Sequence, residues 1–456
     1  MVVFPAPGRC GAETNVKALK ERAAMADIQA VETPAQDLTQ GEIKDLYEVG
    51  EIPPLGHVPR QMYAWAIRKE REGNPDKAMQ VEVVETPELD SHDVLVLVMA
   101  AGVNYNGVWA SLGTPVSMFD VHKQPYHIAG SDAAGVVYAV GSQVKRWKVG
   151  DEVVVHCNQD DGDDEECNGG DPMFSSSQRI WGYETPDGSF AQFCRVQDRQ
   201  LMPRPRHLTW EESACYTLTL ATSYRMLFGH RPHILRPGHN VLIWGASGGI
   251  GSMAVQLCAT AGANAIGIIS DESKREFVMQ LGAKAVINRN DFNCWGQMPT
   301  VNTDEYAAWT KEVRKFGKAI WDVTGKGNDV DFVFEHPGEA TFPVSCIVVK
   351  RGGMVVFCAG TTGYNLTMDA RYVWMRQKRI QGSHFANLKQ ATQANQLVIE
   401  RRIDPVMSEV FSWDDIPKGH MKMLANEHLP GNMAVLVSAK LPGLRTIEDA
   451  IEAGNT

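Results

Sequence analysis

The chain has no basic excess. Its 456 residues carry 55 acidic side chains against 44 Lys and Arg, a formal net charge of −11. A surface that tracks nucleic-acid phosphates needs the opposite balance, so nucleic acid is not an expected partner. No apolar run approaches the roughly 20 residues that span a bilayer, so no membrane partner is expected either. The opening stretch, residues 1–10, is too short and too rich in Pro and Gly for a secretory signal, and a cytoplasmic protein is expected. Cysteine pairing is also missing. The nine cysteines, Cys10, Cys157, Cys167, Cys194, Cys215, Cys258, Cys294, Cys346 and Cys358, are odd in number and scattered, with no C-x-x-C pair. This excludes a disulfide framework and points to buried free thiols. The acidic loop at 160–171 lacks the alternating ligand pattern of a calcium site and is expected to be solvated.

What is present has two styles of patterning. Residues 1–60 are polar, with helical stretches expected near 16–25 and 39–49 before Pro53-Pro54 and Pro59 break the chain. They read as an N-terminal extension. From Met62 the chain turns to strands, expected at 63–67, 79–84, 94–100, 136–140 and 152–155. From about Thr219 strands alternate with helices: strands at 241–244, 265–270, 285–287, 330–334 and 354–357, helices at 250–261 and 274–281. That alternation implies a doubly wound parallel sheet. Residues 291–328 exceed a simple crossover and hold Trp295, Trp309, Phe316 and Trp321, so an ordered insertion is expected. One helix after Gln390 and β segments near 434–437 are expected to return to the first domain. The expected fold class is therefore α/β: a Rossmann domain over 219–389 and a β-rich domain from 61–218 and 390–456.

The apolar run Val241-Leu242-Ile243-Trp244 leads directly into Gly245-Ala246-Ser247-Gly248-Gly249-Ile250-Gly251. Glycines let backbone approach a pyrophosphate, and the free N–H groups of the following helix bind the anion. A strand before and a helix after are the context that makes such a loop a dinucleotide site. Ser247, Gly248, Gly249 and Ile250 are its candidate cofactor contacts. The second strand ends at Ser270, not at the acidic residue that NAD sites use for the ribose 2′-hydroxyl. Ser270 can hydrogen-bond a 2′-phosphate, and Lys274 and Arg275 can offset its charge, which favours NADPH. Asp271 could instead serve NAD.

A β domain, a Rossmann domain and a return to the first domain resemble the medium-chain dehydrogenase/reductase superfamily over about residues 60–440. Ala101-Gly102-Val103-Asn104-Tyr105-Asn106, Gly130-Ser131-Asp132-Ala133-Ala134-Gly135 and Val149-Gly150-Asp151-Glu152-Val153 carry the likeness with the glycine loop. The implied first domain is GroES-like. Zinc alcohol dehydrogenases of that superfamily have Cys where Asn104 stands, His-Glu where Ser131-Asp132 stands, and a lobe of four close cysteines. This chain has neither set, so no metal is expected. Without a Lewis acid, hydride addition to a conjugated double bond is favoured over alcohol oxidation.

A closer likeness lies in Arg179-Ile180-Trp181-Gly182-Tyr183-Glu184-Thr185, Val333-Phe334-Glu335-His336-Pro337-Gly338, Arg371-Tyr372-Val373-Trp374-Met375 and Lys378-Arg379-Ile380-Gln381-Gly382-Ser383-His384-Phe385-Ala386-Asn387. With Asn104-Tyr105-Asn106-Gly107-Val108-Trp109, these strings resemble crotonyl-CoA carboxylase/reductases. The resemblance implies NADPH-dependent reduction of an enoyl-CoA with capture of CO2 at Cα. It implies a CO2 pocket of Asn106, Tyr183, Glu184 and His384. There Asn106 and His384 would donate to CO2, Glu184 would orient a water or His384, and Tyr183 would shield the pocket. Asn104 could point into the same pocket. Arg371 and Tyr372 are the implied CoA contacts, within a basic cluster that continues through Arg376-Gln377-Lys378-Arg379. A homo-oligomer, dimer or tetramer, is expected from the superfamily. A plain enoyl-CoA or quinone reductase without carboxylation is the alternative reading.

Overall fold

The computed structural model describes residues 38–454. The helix expected near 16–25 and Cys10 lie outside that range. The helix expected over 39–49 does not form; the segment runs as turns and bends. Its carbonyls are taken by a distant side chain, since the Gln192 amide donates to Tyr47 O and Glu48 O at 3.1 and 3.3 Å.

The β-rich half is organised by strand Asp93–Val103, which is buried from Val94 to its end. It pairs antiparallel with Ala133–Val140, Phe193–Gln197 and Asn432–Leu436. A strand covered on both faces reads as a continuous apolar run, as DVLVLVMAAGV does. Strands Met407–Phe411 and Asn432–Leu436 come from the C-terminal tail, so the chain closes back onto this sheet.

The other half is a six-stranded sheet in the order Ala285–Asn288, Asn264–Ile269, Asn240–Ile243, Val330–Glu335, Val349–Phe357, Arg379–Gly382, parallel throughout. The order reverses between Asn240–Ile243 and Val330–Glu335, the crevice where such sheets bind ligands. Helix Gly249–Thr260 packs Met253, Ala254, Leu257 and Cys258 into the core on one face of the sheet. The insertion contributes helix Asp304–Thr324 on the other face, capped by Thr303 Oγ1 accepting from Tyr306 N at 3.2 Å. It buries Tyr306, Trp309, Val313, Phe316 and Ile320, a 3.6-residue stripe, beside Trp244. Each of these side chains is worth about 2 kcal/mol on burial, so the insertion is an integral wall of the sheet.

The eight described cysteines are free thiols, most of them buried. No described helix is long and apolar enough to cross a membrane.

Candidate active site

The glycine loop follows the central strand at the reversal point. Gly245 has φ +53°, and a Cβ there would lie 2.6 Å from His336 Nε2. His336, at the end of the neighbouring strand, is 3.0 Å from Trp244 O through that same nitrogen. Burial pulls its pKa down to about 4, so it is a neutral ring that supports the turn. A Cβ at Gly251 would lie 2.2 Å from Gly245 O, so the helix rises hard against the loop. Gly248 is the N-cap and offers no side chain, which leaves the first-turn amides of the helix without a capping partner. Ser247 and Gly249 sit in the wall toward the tail: Gly431 N donates to Ser247 O at 2.9 Å, and a Cβ on Gly249 would meet Asn432 Oδ1 at 2.8 Å. Ile250 packs partly buried on the core. These backbone amides and missing Cβ atoms fit a pyrophosphate.

The second strand ends as expected beside Ser270, whose carbonyl accepts from Asn290 Nδ2 at 2.6 Å. Asp271 caps the next turn by accepting from Ser273 N at 2.9 Å, and that bond, with help from Lys274, holds its carboxyl below the ordinary range. The cap occupies one of its oxygens. Lys274 is half-buried and makes no ion pair among the described residues. Arg275 differs from expectation. Its guanidinium pairs with Glu272 and donates to Val286 O at 2.6 Å. Its charge is thus already matched by an exposed neighbour, whereas the side chains of Ser270 and Lys274 have no hydrogen-bond or ion-pair partner among the described residues.

In the β-rich half, helix Tyr105–Leu112 begins at Asn104 and carries Asn106, both buried. Asn104 Nδ2 donates to Asp132 Oδ2 at 2.9 Å, and Asn106 Nδ2 to Ser131 Oγ at 3.3 Å. Asn104 and Asp132, two of the residues at the superfamily's zinc-ligand positions, thus bind each other. Burial raises the Asp132 pKa to about 7 against bonds from Thr217, Asn104 and Leu218 N.

Tyr183 and Glu184 sit on a tight turn. Gly182 has φ +70°, and a Cβ there would lie 1.9 Å from Gly130 O. Tyr183 reaches the asparagine helix: its ring is 6.4 Å from Trp109, which is 5.1 Å from Tyr105. Burial, with lesser contributions from Glu184 and Tyr364, raises its hydroxyl to about 12, so it stays protonated. Glu184 Oε2 accepts from Ile180 N at 2.8 Å, closing its own turn. One carboxylate oxygen is therefore structural.

His384 arrives from the Rossmann half on a strap pinned at both ends. His230 Nε2 lies 3.0 Å from Ser383 Oγ, and His156 Nε2 lies 2.6 Å from Ala386 O. Asn387 Nδ2 donates to Asp171 Oδ1 at 3.0 Å, and Arg225 Nη1 pairs with Asp171 Oδ2 at 2.7 Å. The His384 ring packs edge-on against Phe385 at 4.7 Å and makes no hydrogen bond among the described residues. Its edge is open to solvent, but the dense surroundings and then the Arg225 charge lower its pKa. A neutral ring with an open edge can donate one N–H.

Asp171 and Arg225 were not singled out from the sequence, and the loop over 160–171 was expected to be solvated. Both ends of that loop are instead anchored, Asp160 by Arg199 at 2.8 Å and Asp171 by Arg225. The basic cluster also differs from expectation. Arg371 is bidentate to Asp369, which also accepts from Tyr306 OH at 2.5 Å, so its charge is already matched. Lys378 is buried and donates to Cys346 O and Ile347 O at 2.8 and 2.9 Å. Arg379 donates to Arg231 O at 2.9 Å. Within this cluster Arg376 is the arginine whose guanidinium has no hydrogen-bond or ion-pair partner among the described residues; it lies 5.3 Å from the half-buried Tyr372 ring.

Residues 249–400 match the zinc-binding dehydrogenase family, and residues 90–206 match the alcohol dehydrogenase GroES-like domain. The crotonyl-CoA carboxylase/reductase of Cereibacter sphaeroides is 77% identical over 411 residues, covering 90% of this chain and 96% of that protein. The chain belongs to the crotonyl-CoA carboxylase/reductase family. A solved crotonyl-CoA carboxylase/reductase superposes with a TM-score of 0.91 at 74% identity, covering 92% of this chain and 98% of that one. The family's 2-octenoyl-CoA carboxylase reductase CinF, solved with NADP and 2-octenoyl-CoA, superposes at a TM-score of 0.78 and 36% identity, covering 87% of this chain and 92% of that one. The fold is accordingly a GroES-like domain joined to a Rossmann domain, and the zinc-dehydrogenase match reflects that shared fold.

Proposed function

We propose that this chain catalyses the NADPH-dependent reductive carboxylation of an enoyl-CoA, converting crotonyl-CoA and CO2 to ethylmalonyl-CoA. The observation that carries the reading is the 77% identity to the crotonyl-CoA carboxylase/reductase of Cereibacter sphaeroides; buried Asn106, Tyr183 beside Trp109, Glu184, and His384 on its pinned strap are the residues we assign to CO2. NADPH supplies the hydride that reduces Cβ of the enoyl group. Gly248, Gly249, Ile250 and Ser247 would hold its pyrophosphate through backbone amides, and Ser270 with Lys274 its 2′-phosphate.

The protein's own task is to steer the carbanionic Cα toward CO2 and away from a proton. The Asn106 amide and the neutral His384 ring are the two donors able to hold a carboxylate as it forms. Tyr183, kept protonated, and Trp109 close the apolar side and restrict water. Arg376, stacked beside Tyr372, is the cation best placed for the CoA phosphates, with Arg371 bracing the turn beneath it. The same reading makes the protein a cytoplasmic homo-oligomer, dimer or tetramer, which sedimentation and cell fractionation test.

The deciding assay supplies crotonyl-CoA, NADPH and 13C-labelled bicarbonate, with product masses read directly. Labelled ethylmalonyl-CoA is expected. Butyryl-CoA alone, at any CO2 concentration, overturns carboxylation and leaves a simple enoyl-CoA reductase.

A further inference from the structure

Two asparagines separated by one residue enter the same region, and their surroundings treat them differently. Asn104 faces the Asp132 carboxyl, and one of its two amide hydrogens is committed to Oδ2 at 2.9 Å. Asp132 itself cannot move. Its Oδ1 takes the Leu218 amide at 2.8 Å and the Thr217 hydroxyl, and its Cβ is wedged so tightly that a Cβ on Gly102 would lie 2.8 Å from it. Thr217 Oγ1 also lies 2.9 Å from Val155 O. One hydroxyl proton cannot serve both acceptors, so a proton on Asp132 completes the set: Asp132 gives to Thr217, and Thr217 gives to Val155 O. In either protonation state Oδ2 remains an acceptor, and the plane of the Asn104 amide stays fixed.

Asn106 has a gentler neighbour. Ser131 Oγ meets its amide nitrogen at 3.3 Å and is itself fully buried on the rigid turn that follows Gly130. That contact uses one amide hydrogen and fixes the plane of the amide, leaving the second hydrogen and the carbonyl uncommitted.

We infer that Ser131 is a positioning residue: it sets the amide plane of Asn106 so that this asparagine presents its second amide hydrogen to CO2. The inference rests on the proposed role of Asn106 in carboxylation.

The test is a double-mutant cycle of Ser131→Ala and Asn106→Ala, reading the ratio of butyryl-CoA to ethylmalonyl-CoA and the KM for CO2. Losing one neutral hydrogen bond from a positioned donor corresponds to a change of about fivefold. Ser131→Ala is expected to raise both readings by about that factor, with the KM for NADPH reporting an intact fold. In the Asn106→Ala background the same substitution is expected to add nothing, because there is no amide left to orient. An unchanged ratio in Asn106→Ala overturns the assignment of Asn106, and the inference with it. A changed ratio in Asn106→Ala with no effect of Ser131→Ala, or with an effect that persists in the double variant, overturns the positioning role alone.

Discussion

Replacing Glu335 by Gln should make the protein's thermal stability respond differently to pH. Glu335 ends the fourth strand of the Rossmann sheet, fully buried. One oxygen accepts from Gly338 N at 3.1 Å and Thr341 Oγ1 at 2.7 Å; the other is 2.5 Å from Ser345 Oγ, which accepts from Trp244 Nε1 at 2.9 Å. Burial outweighs these bonds and raises the carboxyl from 4.5 to about 7. The folded state therefore holds this proton more tightly than the unfolded chain does. The stability this gives is fully present below pH 4.5 and is lost as the pH rises through about 7. At about 1.4 kcal/mol per pKa unit, the wild type forfeits roughly 2 to 3 kcal/mol between pH 5 and pH 8.5 that a neutral amide does not. Gln loses one bond at all pH values, a constant offset. The Tm of Glu335→Gln relative to wild type should thus climb by about 5–10 °C over that interval, using roughly 2–4 °C per kcal/mol for a domain of this size. Differential scanning calorimetry of both proteins across the interval makes the comparison. A Tm difference that stays flat would refute the claim that Glu335 is protonated in the folded protein near neutrality.

Other outcomes follow from the same geometry. Gly245→Ala places a Cβ in a left-handed turn and 2.6 Å from His336 Nε2, so the Kd for NADPH should rise at least tenfold by fluorescence titration, about 1.4 kcal/mol or more. Arg225→Met removes a cation that helps lower His384, so the acidic limb of the carboxylation pH profile should move to higher pH; an unmoved limb separates His384 from that limb. Arg376→Ala should raise the KM for crotonyl-CoA by about tenfold, the worth of a charge-assisted bond, and Arg371→Ala by less, because Asp369 already neutralises Arg371. Equal effects would show that Arg371 leaves Asp369 to meet the substrate.

The parts legible in the sequence were those where one local requirement writes a residue pattern. A strand, a glycine turn and a helix in succession place the dinucleotide loop, since a Cβ at Gly245 would meet the His336 ring and one at Gly251 would meet Gly245 O. The aromatic stripe of the insertion has the period of the helix that carries it. What the sequence hid were pairings between distant positions. Asp171 meets Arg225 across 54 residues and Asn387 across 216, and no periodicity announces either bond. The basic run at 371–379 displayed its charges but not their partners, although Asp369, two residues ahead of Arg371, is a signal that could have been read. The segment at 39–49 has helical composition, yet Gln192 takes its carbonyls from the other end of the fold, and tertiary contact overrides propensity.

The contact between Gly182 and Gly130 has a consequence for anyone rebuilding this chemistry elsewhere. With 1.9 Å available where a Cβ would sit, every codon change at position 182 that adds a carbon forces the backbone of 130 to move. Tyr183-Glu184 and Ser131-Asp132 each sit one residue beyond that contact. The two loops are therefore one unit of inheritance. A graft of the Trp-Gly-Tyr-Glu turn onto an ordinary reductase would carry its register only if the Gly-Ser-Asp turn travelled with it.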